Sequence, residues 1–167
     1  MAVRLQSRSF ALDTNVPLDL AAGVEAAWTL VEVSKERNWG LAIPPTVVQE
    51  LAFISQNFSH PANRLAIKAL SELRSWGIEP FNLISAGHGI TEQFSRSLRD
   101  KGLLPDGEDN DGLILAETSL AEFPVLVTRD RHLLGIDVVL LQSAFRDASM
   151  ENVTVITPRR LLATFNL

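Results

Sequence analysis

Ser9-Phe10-Ala11-Leu12-Asp13-Thr14-Asn15 and Val125-Leu126-Val127-Thr128-Arg129-Asp130 decide the fold. Each begins as a short apolar run and closes on an aspartate. Such runs, bounded by polar residues, read as strands of a buried parallel sheet. In an open parallel sheet, ligands sit in the crevice outside the carboxyl ends of the strands. Two aspartates at two such ends point into one crevice. Carboxylates crowded there repel one another unless a cation or a shared proton compensates. The economical reading is a divalent-metal site made only of acids.

Outward from these runs, strand-like and helix-like segments alternate, which predicts an α/β fold. Val16 to about Asn38 reads as one long helix, with Leu20, Val24, Ala27 and Val31 on a common face. Leu41-Ala42-Ile43 is a second strand, closed by Pro44-Pro45. Thr46 is placed to cap the helix that carries Val47, Glu50, Leu51 and Ile54. His60-Pro61 opens a further helix, and Ile78 to Ile84 holds a third strand. Ser85-Ala86-Gly87-His88-Gly89 reads as a loop before a helix from Ile90 to Lys101. A polar, acidic loop follows from Gly102 to Asp111, then a helix with Leu113, Ala116 and Leu120 as its stripe. Val125 to Thr128 is a fourth strand, Val153 to Ile156 a fifth, and Pro158 starts a terminal helix. Residues 137–152 fit either a strand, through Val138-Val139-Leu140-Leu141, or a helix, through Gln142 to Met150.

The chain has 167 residues, 46% of them apolar, which predicts one domain with a sizeable core. It has no cysteine, which excludes disulfides, thiolate zinc sites and a cysteine nucleophile. A cytoplasmic protein is the simplest fit. No apolar run approaches the roughly 20 residues of a membrane span, and Met1 to Gln6 lacks the apolar core of a signal peptide. The net charge of −5 argues against a nucleic-acid partner. That argument weakens once four acids are set aside as metal ligands. Basic groups also remain at Arg96, Arg99 and Lys101, at Arg129 and Arg131, and at Arg159 and Arg160.

Four acids fall at element ends in this reading: Asp13 after the first strand, Glu50 one turn into the helix after the second, Asp111 at the start of the helix before the fourth, and Asp130 after the fourth. On these residues the chain resembles the PIN-domain family of ribonucleases. The carrying motifs are the apolar strand with Asp13-Thr14-Asn15, Glu50-Leu51 within Pro45-Thr46-Val47-Val48-Gln49-Glu50-Leu51, Asn110-Asp111-Gly112-Leu113-Ile114-Leu115-Ala116, and Val127-Thr128-Arg129-Asp130. Val153-Thr154-Val155-Ile156-Thr157-Pro158 is similar to the family's last strand and helix start. The resemblance spans about residues 9 to 163. Two departures stand out: His132 occupies a position where some members carry a further acid, and 137–152 is longer than the usual link and suggests an insertion.

The resemblance implies a three-layer α/β/α, PIN-like domain over 1–167 with a mainly parallel sheet of about five strands. It implies an endoribonuclease using Mg²⁺ or Mn²⁺ held by Asp13, Glu50, Asp111 and Asp130, with Thr14, Asn15 and Thr128 orienting carboxylate or water. It also implies the role of toxin in a toxin–antitoxin pair, with an antitoxin protein as partner, RNA as substrate and a homodimer as one assembly. The chemistry suits the residues. Mg²⁺ takes oxygen ligands and keeps several waters, and one or two such ions activate water and neutralise charge in phosphodiester hydrolysis.

Other readings compete. Asp13 and Asp111 each suit a helix cap, Glu50 a surface position and Asp130 a turn. Glu108 and Asp109 read as solvated loop acids within reach of the cluster, and His132 as a helix-start residue. A phosphoaspartyl enzyme or receiver domain would need a lysine at a later strand end, and Lys35, Lys68 and Lys101 are all in or beside helices. A PIN-like module that binds RNA or a protein with little turnover is the non-catalytic alternative.

Overall fold

The computed structural model describes residues 8–167. Five strands form one sheet: β1 (Ser9–Leu12), β2 (Gly40–Ile43), β3 (Ile78–Pro80), β4 (Val125–Val127) and β5 (Thr154–Ile156). Their order is β3-β2-β1-β4-β5, and all neighbours are parallel. Phe10 lies beside Leu41, and Leu12 beside Val127. Ala11, Leu12, Ile43, Leu126 and Val127 are completely buried. Such strands need both faces of the sheet covered, which is why they read as unbroken apolar runs.

Among the described residues nine helices complete the three layers: α1 (Asn15–Ala22), α2 (Glu25–Glu36), α3 (Pro45–Gln56), α4 (Asn63–Glu72), α5 (Ser85–Asp100), α6 (Asp109–Leu120), α7 (Arg131–Leu134), α8 (Val138–Asp147) and α9 (Pro158–Thr164). None is long and apolar enough to cross a membrane. The chain fills the sheet outward from β1 to β3, then crosses back to place β4 on the other side of β1. The order therefore reverses between β1 and β4, and a crevice opens there at the strands' carboxyl ends. The Asp13 N–H donates to the Val127 carbonyl at 3.0 Å, so pairing runs one residue past β1, up to that crevice.

Several local expectations are corrected. The helix expected over 16–38 is two. Gly23 takes φ +80°, and the Val24 N–H reaches back to the Asp19 carbonyl at 2.9 Å, closing α1. Leu20, Ala27 and Val31 are buried on either side of the break, so the apolar periodicity masked it. Ser85 to Gly89 is the first turn and more of α5, not a loop. Gly87 is buried there, and a Cβ on it would meet Leu83 Cβ at 3.2 Å, so close packing outweighs glycine's poor helix propensity. The helix after His60-Pro61 begins at Asn63, because His60 Nδ1 accepts the Ala62 N–H at 3.0 Å and holds a turn. Strand β3 stops at Pro80. Thr46 does not cap α3: Pro44 holds that position and the Thr46 hydroxyl points elsewhere.

Within 137–152 the helix reading holds, over Val138–Asp147. The Asp137 carboxylate accepts the N–H groups of Val139 and Leu140 at 2.9 and 3.0 Å and caps α8. Leu141, Ala144 and Phe145 are its buried face, and the Phe145 ring stacks on Phe94 of α5 with centroids 4.8 Å apart. The short helix α7 has His132 in its first turn, as its reading as a helix-start residue expects.

Candidate active site

Local geometry at each acid follows from its place at an element end. Asp13, the first residue past β1, is only 4% exposed. Its Oδ1 accepts the Thr14 N–H at 2.7 Å, and its Oδ2 accepts from Asn15 Nδ2 at 2.7 Å and from the Thr128 hydroxyl at 2.6 Å. Thr128, fully buried just past β4, also accepts the Asp130 N–H at 2.9 Å. Asn15 completes the tie, since its Oδ1 accepts the Arg129 N–H at 3.1 Å. Thr128 and Asn15 thus lace the ends of β1 and β4 together around Asp13.

Asp130 Oδ1 accepts the N–H groups of His132 and Leu133 at 2.7 and 3.2 Å. It therefore caps a helix, α7, rather than only a turn, while also lining the crevice. Glu50, half-buried on α3, accepts the Thr14 hydroxyl at Oε2 and Asn110 Nδ2 at 2.8 Å at Oε1. Asp111, in the first turn of α6, is 9% exposed. Its Oδ2 is buried with no hydrogen-bond partner. A helix cap would have satisfied that atom, and the position ahead of α6 belongs to Glu108, whose side chain makes no cap bond either.

Asp13, Glu50, Asp111 and Asp130 all line one open pocket of about 540 Å³. Thr14, Asn15, Asn110 and Glu108 share its wall. Asp109 turns away, pairing with Arg99 at 2.8 Å. His132 lies outside the pocket, with Nε2 3.7 Å from a Glu108 carboxylate oxygen.

The electrostatics are those of crowded acids. Burial pushes the Asp13 carboxyl up to about 6, against the lowering pull of its bonds from Thr128 and Thr14; Glu50 and Asp130 add to the rise. Burial pushes Asp111 up to about 8, and Asp130, Asp13, Glu108 and Glu50 all raise it further. Both groups hold their protons more tightly than free carboxyls because burial disfavours the charged form and the neighbouring acids repel it. A hard cation is the complement such a set lacks, and the orphaned Asp111 Oδ2 is the atom with most to gain. The donor types fit Mg²⁺ or Mn²⁺. In the arrangement seen, no three acid or histidine groups among the described residues stand close enough together to hold one ion. There Glu50 and Asp13 are engaged with neighbouring hydroxyl and amide groups, and Asp130 with the end of α7.

Two groups near the site escaped the sequence reading. Glu117 is 3% exposed, two turns beyond Asp111 on α6. Its carboxylate accepts the Thr46 N–H at 3.0 Å and the Thr46 hydroxyl at 2.7 Å, fastening the first turn of α3 to α6. Its burial raises its pKa, and the Thr46 bonds lower it in part. The signal was available: Glu117 stands three residues after Ile114 and three before Leu120, and so shares their apolar helix face. Asp19, also buried, grips Arg129 at 2.5 and 2.6 Å through two parallel bonds. That pair joins α1 to the turn that carries Asp130.

No family model and no curated protein matches the chain. Solved structures do. In the crystal structure of VapBC2 from Rickettsia felis bound to a DNA fragment from their promoter, the similar chain has a TM-score of 0.59 and 17% identity, over 88% of this chain and 98% of that one. In DNA-bound VapBC from Salmonella typhimurium the values are 0.55 and 17%, over 89% and 98%. In VapBC-1 from nontypeable Haemophilus influenzae they are 0.54 and 18%, over 88% and 97%. At these identities the likeness carries the fold: a three-layer α/β/α, PIN-like arrangement around a five-stranded parallel sheet.

Proposed function

We propose that the chain is a metal-dependent endoribonuclease whose site is Asp13, Glu50, Asp111 and Asp130. One observation carries the reading: carboxylates from four separate stretches of chain line a single pocket at the switch point of the sheet, with a buried Asp111 oxygen left unpaired. Mg²⁺ or Mn²⁺, when held by these four, would supply water activation and charge neutralisation at the phosphodiester. The protein's own contribution is placement. Thr128 and Asn15 fix the Asp13 carboxylate, Thr14 and Asn110 fix Glu50, and the Arg129–Asp19 pair holds the turn from which Asp130 projects. Asp13 and Asp111 must shed their protons to act as ligands, so the site loads better as pH rises.

The fold shared with chains of VapBC complexes supports a further reading: a toxin that pairs with an antitoxin protein. The hydrogen bonds engaging Glu50 and Asp130 favour one alternative, a PIN-like module that binds RNA or a protein with little turnover.

Cleavage of an RNA panel in Mn²⁺ and in excess chelator separates the two. Attack by water leaves 5′-phosphate and 3′-hydroxyl ends, needs the divalent ion, and is lost in Asp13→Asn. Cyclic phosphate ends formed in chelator would refute the mechanism, and metal binding without cleavage of any RNA would favour the binding module.

A further inference from the structure

The acidic pocket has one apolar wall, made of Leu18 on α1 with Phe53 and Ile54 on α3. Phe53 is the aromatic residue of that wall, and it is 68% exposed. It stands three residues after Glu50, so both side chains rise from neighbouring positions on α3. The helix buries Thr46, Val47 and Leu51, and Phe53 lies off that face, leaving its ring open to the pocket.

Resting on the ribonuclease reading, the geometry points to Phe53 as a stacking platform for an unpaired base of single-stranded RNA, next to the phosphodiester bound at the acids. Three arguments carry it. The protein has a net charge of −5 and the pocket is acidic, so long-range attraction does not draw in a polyanion. Affinity at this pocket needs a contact indifferent to charge, and base stacking on an aromatic ring is one. The acids and the ring share a pocket of about 540 Å³, within the range that encloses a small ligand. A paired base is already stacked on its neighbours and closed off by its partner, so a ring on this wall selects single strands.

The test measures binding of a short, fluorophore-labelled, mixed-sequence RNA, single-stranded and as a duplex. It uses Mn²⁺ and the Asp13→Asn background, so that substrate is not consumed. Phe53→Ala is expected to weaken single-strand binding by about 5- to 150-fold, the worth of one stacked base. Phe53→Leu is expected to resemble it, and Phe53→Trp to restore binding. The duplex is expected to bind less well and to be indifferent to all three. With Asp13 intact, Phe53→Ala is expected to raise KM by the same factor and change kcat by less than about twofold. The position is exposed, so the variants keep the fold. Unchanged binding in Phe53→Ala overturns the proposal while RNA cleavage by the unsubstituted protein upholds the ribonuclease reading. Full binding in Phe53→Leu also overturns it, since that is how a seat for an apolar peptide side chain behaves. If the unsubstituted protein neither binds nor cleaves RNA, both fall together.

Discussion

Asp111 shows how one side chain can be both a defect and a purpose. A buried carboxylate oxygen without a partner costs the folded state about 1–3 kcal/mol, and the neighbouring acids add repulsion. Its folded pKa of about 8 lies far above the ordinary 3.8, and that of Asp13, about 6, lies above it too. Below pH 4 both states are protonated and neither group matters. As pH rises, the unfolded chain loses these protons first, so folding stability falls from about pH 4 up to about pH 8. Denaturant titrations in chelator should show that decline. Asp111→Asn should flatten its upper part, between about pH 6 and 8, and raise stability at neutral pH. Thr128 makes the opposite case. Its hydroxyl satisfies Asp13 Oδ2 and the Asp130 N–H from a fully buried position. Thr128→Val keeps the shape and removes these two bonds and the one the hydroxyl accepts from Asn15 Nδ2 at 3.1 Å. It should cost about 1–3 kcal/mol, read by urea unfolding, and depress cleavage by loosening Asp13.

Among the elements, α6 does the most to assemble the site. It brings Asp111 to the pocket, holds the start of α3 through Glu117 and Thr46, and packs tightly on α5. Gly112 permits that packing, because a Cβ there would lie 2.8 Å from the Cα of Ser95, a backbone atom that cannot turn aside. Gly112→Ala should force α5 and α6 apart and destabilise by about 1–3 kcal/mol, more than the gain of about 1 kcal/mol in helix propensity returns. Thermal melting checks the sign: a rise in Tm would mean the helices are free to part. Helices also explain where sequence reading fell short. The Gly23 break passed unseen because Leu20, Ala27 and Val31 keep their period across it. Ser85 to Gly89 read as loop because local propensity is weak there, while packing of Gly87 on Leu83 and Leu120 decides the matter.

For the whole molecule, four acids lining one pocket give the proposed metal site a consequence for stability. An ion that binds the fold and not the unfolded chain stabilises it by mass action, about 2.7 kcal/mol at one hundred times its Kd. Mg²⁺ or Mn²⁺ should, on that proposal, raise Tm, more so at pH 8 than at pH 6, because by pH 8 Asp13 has shed its proton and Asp111 is about half ionised, whereas at pH 6 Asp111 keeps its proton. The gain should shrink in Asp111→Asn. An equal shift in that variant would remove Asp111 from the ligand set.

Much of this was legible in the chain. Strands buried on both faces must be apolar along their length, so β1, β2 and β4 announce themselves, and an acid at such a strand's end stands out against it. Motif order then brought the PIN-like fold and the four acids into view. Contacts between segments distant in sequence leave no local trace. Glu117 meeting Thr46 across 71 residues, Asn110 meeting Glu50 across 60, and Arg129 meeting Asp19 across 110 are of this kind. Nor does sequence say which acids are spent on their neighbours and which is left unpaired. Asp130 is both cap and pocket lining, and of the four acids Asp111 keeps a buried oxygen without a bond among the described residues. That difference is a matter of solvent exclusion and of which donors lie within about 3 Å, and only the folded chain sets those distances.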